Sequence, residues 1–263
     1  MKKILALMGA VLLLSVSARA VEVSAPSAVL MEKETGTVLF AKNEHEKLEP
    51  ASVTKIMTLL LTMEAIDGGT LHYEDTVTAS PHACSMGGSQ IWLKEGERLT
   101  VDEMLKAVCV VSANDCAVAL AEHLAGSEEA FVARMNQRAK ELGCTSTSFT
   151  CVHGLYDYGN VSSAHDLALI AKACAENETY MQVANTLSYT LPATNLHQNE
   201  RTITSTNLML NPEYPYYRDY IRGMKTGFTT LAGRCYVTFA QKDGHTYGLV
   251  VLGSDLDNIY REA

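Results

Sequence analysis

The patterns that mark metal, redox and membrane proteins are missing from this chain of 263 residues. Its eight histidines are scattered with no H-x-x-x-H pair, and its seven cysteines contain no C-x-x-C pair. Zinc and thioredoxin-like chemistry therefore have no support, and neither a metal nor a cofactor is expected. Basic residues are outnumbered, with 21 Lys and Arg against 30 Asp and Glu and a formal charge of −9. That balance argues against a nucleic-acid partner, because phosphates reward a basic footprint. Past the first twenty residues no apolar run is long enough for a transmembrane helix. Internal repeats, linkers and low-complexity tracts are also lacking, so one mature domain with a sizeable core is expected.

The first twenty residues read as an export leader. Lys2 and Lys3 precede the apolar residues 4–16, and Ala18-Arg19-Ala20 supplies a small-x-small cleavage site. Cleavage after Ala20 would remove three basic residues and no acid, taking the charge from −9 to −12. The protein is thus expected outside the cytoplasm, at the cell wall or periplasmic face. An odd cysteine count there leaves at least one free thiol. The apolar surroundings of Cys109 and Cys116 fit small buried hydrophobes, so mostly free thiols are expected, with a Cys144–Cys151 disulfide as the alternative.

Residues 27–33 and 37–42 flank Glu34-Thr35-Gly36 as a β-hairpin. Pro50-Ala51 leads into a long helix over residues 52–67, apolar on nearly every side and stopped by Gly68-Gly69. Thr100-Val101-Asp102-Glu103 is a capping box opening a second helix, which breaks near Ser112 and restarts at Asn114-Asp115. Further helices start at Ser127 and near Ala164. The last third predicts strands over residues 220–225, 234–241 and 246–252, the last two joined at Asp243-Gly244. Strands at both ends with helices between them predict an α/β (α+β) domain. Its antiparallel sheet would be assembled from N- and C-terminal strands around a mostly helical insert.

Three short motifs carry the chemistry: Ser52-Val53-Thr54-Lys55, Ser112-Ala113-Asn114 and Lys225-Thr226-Gly227. Residues three apart on a helix share a face, so Ser52 and Lys55 lie within reach for the lysine to take the serine proton. A helix N-terminus adds N–H groups and a positive dipole end beside a developing oxyanion. Burial and a second cation, Lys225, would lower the Lys55 pKa as a base requires. The alternative, an N-cap serine and a snorkelling lysine, leaves a lysine on so apolar a helix unexplained. Ser112 would relay a proton to a leaving amine, and Asn114 would hold both Lys55 and substrate backbone; capping a helix is compatible with both roles. Lys225 offers a point charge for a carboxylate, Thr226 a hydroxyl donor and Gly227 room for close backbone approach, at the end of a strand whose edge invites an extended peptide.

Together the three motifs match the S-x-x-K, S-x-N and K-T-G set of penicillin-binding proteins and class A β-lactamases. The chain resembles the D-alanyl-D-alanine carboxypeptidases of the low-molecular-mass penicillin-binding proteins. The resemblance extends to Gly88-Ser89, residues 131–136, His153-Gly154-Leu155, Ser163-Ala164-His165-Asp166, Thr206-Asn207-Leu208 and residues 223–229. It implies a β-lactamase/transpeptidase-like fold. Ser52 would be the nucleophile, Lys55 its base and Ser112 the proton relay. Asn114, Lys225, Thr226, Gly227, Phe228 and Ser89 would bind substrate, with the N–H groups of Ser52 and Phe228 as the oxyanion hole. The substrate implied is the peptidoglycan stem peptide ending in D-Ala-D-Ala, with β-lactams as covalent inhibitors of Ser52.

Two departures accompany the resemblance. Residues 260–263 end about where a final helix would begin, so part of one sheet face is expected to be uncovered, and peripheral membrane contact would need a C-terminal tail beyond them. Ala113 stands where glycine is common. Two rival readings are a catalytically silent wall-binding or penicillin-sensing homologue and a class A-like β-lactamase. The second would need a glutamate to position water, and residues 143–163 contain none.

Overall fold

A computed structural model describes residues 21–155 and 158–263; the predicted leader lies outside the described residues. The chain starts with β1 (Ser27–Glu32) and β2 (Val38–Lys42). A mostly helical stretch follows: α1 (Lys55–Asp67), β3 (Thr76–Thr78), α2 (Pro81–Cys84), β4 (Arg98–Thr100), α3 (Val101–Val110), α4 (Asn114–Ala125) and α5 (Glu128–Glu141). Next come α6 (Ala164–Cys174), α7 (Glu178–Ala184), β5 (Ser188–Leu191) and β6 (Arg201–Thr204). The chain closes with β7 (Ile221–Thr229), β8 (Gly233–Lys242), β9 (His245–Ser254) and the short α8 (Ile259–Glu262).

The main sheet has the order β2-β1-β9-β8-β7, with each neighbouring pair antiparallel. Strands from the two ends of the chain meet where β1 pairs with β9, from Ser27↔Leu252 to Glu32↔Tyr247. The sheet built from distant segments is therefore as the sequence predicts. Side-chain alternation splits its two faces. Val29, Met31, Val237, Phe239 and Val250 point inward and join Ile56, Leu59, Leu167 and Ile170 in the main core. Ala28, Tyr236 and Val251 point outward and pack with Met209, Ile221, Ile259 and Tyr260. Val38 and Leu39 remain exposed on β2.

α1 runs through the middle of the molecule, as its all-round apolar character requires. Its two buried threonines stay satisfied: Thr58 Oγ1 donates to the Val152 carbonyl at 2.6 Å and Thr62 Oγ1 to the Thr58 carbonyl at 2.8 Å. The capping box at Thr100 and Glu103 is present in both directions. Ser127 and Ser163 cap α5 and α6.

Three expectations change. α1 starts at Lys55 rather than Ser52, because Ala51 sits at φ 48° and the chain makes a 3-10 turn over Ala51–Thr54 before the α-helical bonds begin. Lys225-Thr226-Gly227 lies inside a strand rather than at its end, because β8 continues the ladder through Gly227↔Cys235, Phe228↔Arg234 and Thr229↔Gly233. The alternative Cys144–Cys151 disulfide does not form: Cys144 is a free thiol, and all the cysteines but Cys84 are buried. Among the described residues no helix is long and apolar enough to cross a membrane.

Candidate functional site

The 3-10 turn places Ser52 directly ahead of α1, and Lys55 opens the helix one turn later. Lys55 Nζ donates to Ser52 Oγ at 3.1 Å and to the His153 carbonyl at 2.6 Å. The lysine is completely buried. Burial drives its pKa well below the ordinary lysine value, and the nearby Lys225 ammonium lowers it further, against weaker opposition from Cys151 and Asp115. A neutral amine at 3.1 Å from a hydroxyl is equipped to accept its proton.

His153 supplies its backbone rather than its ring to the lysine. Its ring nitrogen Nδ1 accepts the Leu155 N–H at 3.0 Å, and burial, reinforced by Lys55, lowers its pKa to about 4. The next residue, Gly154, at φ 72°, lets this loop press against the Ser52 turn. Asn160 Nδ2 ties the same region to Thr54 Oγ1 at 2.9 Å.

Ser112 lies in the break between α3 and α4 at φ 65°, a conformation costly for a residue with a side chain. Its Oγ is buried and, among the described residues, has no hydrogen-bond partner. Asn114 begins α4; its Nδ2 donates to the Gly87 carbonyl at 2.7 Å, and its buried Oδ1 has no partner among the described residues. Among the described residues no hydrogen bond joins Asn114 to Lys55, whose Nζ donates instead to Ser52 Oγ and the His153 carbonyl. The Asn114 N–H donates to the Ser89 carbonyl at 2.7 Å. Asp115, one residue on, accepts from Ile91 N–H and Leu93 N–H at 3.2 and 3.0 Å. The segment carrying Ser89 therefore hangs on the first turn of α4.

On the opposite wall, β7 carries the third motif. Lys225 is buried, its pKa is lowered to about 8 by burial, and its Nζ donates to the Thr226 carbonyl at 2.9 Å. Thr226 Oγ1 lies 2.7 Å from Thr206 Oγ1. Gly227 runs alongside the nucleophile turn, where an added Cβ would sit 3.0 Å from Ser52 N. Ser52, Ser89, Ser112, Thr226, Gly227 and Phe228 line a single cleft of about 230 Å³. The predicted site residues thus converge, with Lys55, Asn114 and Lys225 behind them.

Thr206, Arg234 and Tyr260, which lie outside the three motifs, line the same cleft. Arg234 lies opposite Phe228 in the ladder, and its guanidinium stacks on the Phe228 ring at 4.4 Å. Its signal in the sequence was the two-residue spacing from Tyr236, which puts both on one sheet face. The His153 carbonyl had no such signal, because any residue supplies one.

Among the described residues no group of His, Cys, Asp and Glu is placed to hold a metal ion. The chain matches the D-alanyl-D-alanine carboxypeptidase family, Peptidase S11, over residues 14–256. It is 44% identical over 230 residues to D-alanyl-D-alanine carboxypeptidase DacF of Bacillus subtilis, covering 88% of this chain and 57% of that protein. Against DacC and DacD of Escherichia coli it spans 58% and 59% of their lengths. The crystal structure of penicillin binding protein 6B from Escherichia coli superposes with a TM-score of 0.85 at 33% identity, covering 95% of this chain and 78% of that one. Penicillin-Binding Protein D2 from Listeria monocytogenes, solved in its ampicillin-bound form, gives 0.79 at 25% identity, with 93% of this chain and 96% of that one covered. With a family match over most of its length and the same fold as penicillin-binding proteins, the chain belongs to the D-alanyl-D-alanine carboxypeptidase family of serine peptidases.

Proposed function

We propose that the protein is a serine D-Ala-D-Ala carboxypeptidase that removes the terminal D-alanine from peptidoglycan stem peptides through an acyl-enzyme on Ser52. The observation that carries this reading is the 3.1 Å contact between Ser52 Oγ and a buried Lys55 whose pKa is driven well down. Ser52 Oγ attacks the carbonyl between the two D-alanines as Lys55 Nζ takes its proton. The N–H groups of Ser52 and Phe228 receive the oxyanion. The carbon–nitrogen bond then breaks, and Ser112, whose hydroxyl has no other partner among the described residues, passes a proton to the departing amine. Water hydrolyses the ester and restores the serine.

Asn114 Oδ1 and Ser89 offer groups to the substrate backbone, and Gly227 leaves β7 open beside an extended peptide. Lys225 and Thr226 hold the terminal carboxylate end. β-Lactams would acylate the same serine, and the lack of glutamate in residues 143–163 favours slow release over turnover. In this reading residues 1–20 are an export leader and residues 21–263 the catalytic unit, acting outside the cytoplasm.

The test is D-alanine release from diacetyl-Lys-D-Ala-D-Ala by the wild type, Ser52→Ala and Lys55→Arg. Ser52→Ala should abolish release. Lys55→Arg, which keeps the charge but cannot act as a neutral base, should lower it about 10³-fold or more. A folded wild type that releases no D-alanine, or Ser52→Ala with undiminished release, overturns the reading.

A further inference from the structure

A main-chain carbonyl aims Lys55 at Ser52, so whatever fixes that carbonyl fixes the base. The residue just before it, Val152, is gripped from both sides. Its carbonyl accepts from Thr58 Oγ1 of α1 at 2.6 Å, and its N–H donates to Glu128 Oε1 of α5 at 3.0 Å. One residue on, the His153 carbonyl receives Lys55 Nζ at 2.6 Å.

Glu128 is the first residue of α5, directly after the Ser127 cap, and its side chain is only 13% exposed. A carboxylate so far out of water is costly unless its oxygens are used. Burial raises its pKa, and the Val152 N–H is the strongest influence drawing it back. The same Oε1 faces the His153 ring. His153 Nδ1 accepts the Leu155 N–H, so the neutral ring carries its proton on Nε2, 3.8 Å from Glu128 Oε1. Oε2 faces His82 Nε2 at 3.5 Å, and His82 is itself fixed by Glu122 of α4, 2.9 Å from its Nδ1. His82, Glu128 and His153 line a hollow of about 400 Å³ that shares no lining residue with the Ser52 cleft. Glu128 thus stands behind the His153 loop, away from the substrate.

α5 holds the same segment at a second point. Asn136 Nδ2 donates to the Phe149 carbonyl at 2.7 Å, and the Phe149 N–H donates to Asn136 Oδ1 at 2.9 Å. That anchor lies four residues ahead of His153, whereas Glu128 grips the residue immediately before it.

We propose that Glu128 is a positioning residue for catalysis: by accepting the Val152 N–H it fixes the His153 carbonyl, and through that carbonyl the reach of Lys55 Nζ to Ser52 Oγ. The inference rests on the reading of Ser52 as the acylated serine and Lys55 as its base. The loop needs an acceptor at one place rather than a negative charge, because the group it steadies is a main-chain N–H.

The experiment follows acylation of Ser52 by benzylpenicillin in the wild type, Glu128→Ala, Glu128→Gln, Glu128→Asp and Asn136→Ala, with a thermal melt of each. It separates the dissociation constant of the first, non-covalent complex from the rate constant of acylation. Glu128→Ala should lower the rate constant about 10- to 100-fold, as a displacement of about 1 Å does, and change the dissociation constant less than about twofold. Glu128→Gln keeps an acceptor oxygen and should recover most of the rate. Asn136→Ala should lower Tm while leaving the rate close to that of the wild type. Undiminished acylation in Glu128→Ala, a loss carried by binding instead of rate, or equal slowing by Asn136→Ala overturns the proposal. Should Glu128→Ala fail to fold, the two milder variants decide. Glu128→Asp keeps the charge but withdraws the acceptor by one methylene, so Glu128→Gln should be the faster, and the reverse order overturns the proposal. Wild type that benzylpenicillin does not acylate removes the reading of Ser52 and this proposal with it, a result distinct from acylation to which Glu128 is indifferent.

Discussion

A Cβ on Gly154 would stand 1.8 Å from the carbonyl oxygen of Ala51, a full overlap with the backbone of the turn that carries Ser52. The contact joins the His153 loop, which holds Lys55, to the residue preceding the nucleophile. Both are backbone, so neither side has a flexible end that yields.

Gly154→Ala is therefore expected to lose at least about 3 kcal/mol and to displace the Ser52 turn. For a domain of this size that corresponds to a fall in Tm of about 6–12 °C. Gly126→Ala is the control: φ is 84° but open space surrounds the position, so the cost should stay near 1 kcal/mol. Thermal melts of the two variants check the contrast, and equal losses would show that conformation rather than contact sets the penalty.

Lys225 predicts a pH-dependent stability difference. Its folded-state pKa is lowered from 10.5 to about 8, so between these values the unfolded chain holds a proton that the folded chain has released. Stability from this residue therefore rises as pH rises through that window and is lost as pH falls through about 8, with a ceiling of about 3 kcal/mol. The buried thiols, raised by burial, act in the opposite sense above pH 8, so the informative quantity is wild type minus Lys225→Met. Denaturant midpoints at pH 7.5, 9 and 10.5 should show the wild type gaining on the variant. A constant difference would mean that Lys225 is not desolvated.

Asp115 supports the cleft from behind. Asp115→Ala would leave the N–H groups of Ile91 and Leu93 without their acceptor, at a cost of about 2–4 kcal/mol. Trp92 lies between those residues at φ 63°, is 69% exposed and is the chain's single tryptophan. Its fluorescence anisotropy should therefore drop in the variant as the segment loosens. Unchanged anisotropy with unchanged stability would detach this segment from Asp115.

Much of this architecture was written in local patterns. The Thr100 capping box, the all-apolar α1 and the hairpin at Asp243-Gly244 each announce themselves within a few residues, because a cap, a buried helix and a tight turn are local problems. The serine–lysine spacing is local as well, although the 3-10 turn that delivers it depends on Ala51, whose positive φ no propensity would assign. The pairs β3/β4 and β5/β6 went unread because strands of three or four residues are too short to show a period. α7 hid in a similar way behind only seven residues. The remaining site features are products of long-range approach. The His153 carbonyl reaches Lys55 across the fold, and Arg234 reaches the cleft only through the register in which β8 pairs with β7.

The pairing of Ser27 with Leu252 makes the order of events in time matter as much as the final shape. A chain made from its N-terminus holds β1 without its central neighbour until β9 has appeared, so the sheet closes late and against a large loop entropy. Six of the seven cysteines are buried in the finished fold, so a thiol meets an oxidant more readily before closure than after it. The protein's exposure to wrong disulfides is thus set by a race between zipping and oxidation, and whatever shortens the wait for β9 protects the cysteines without touching one.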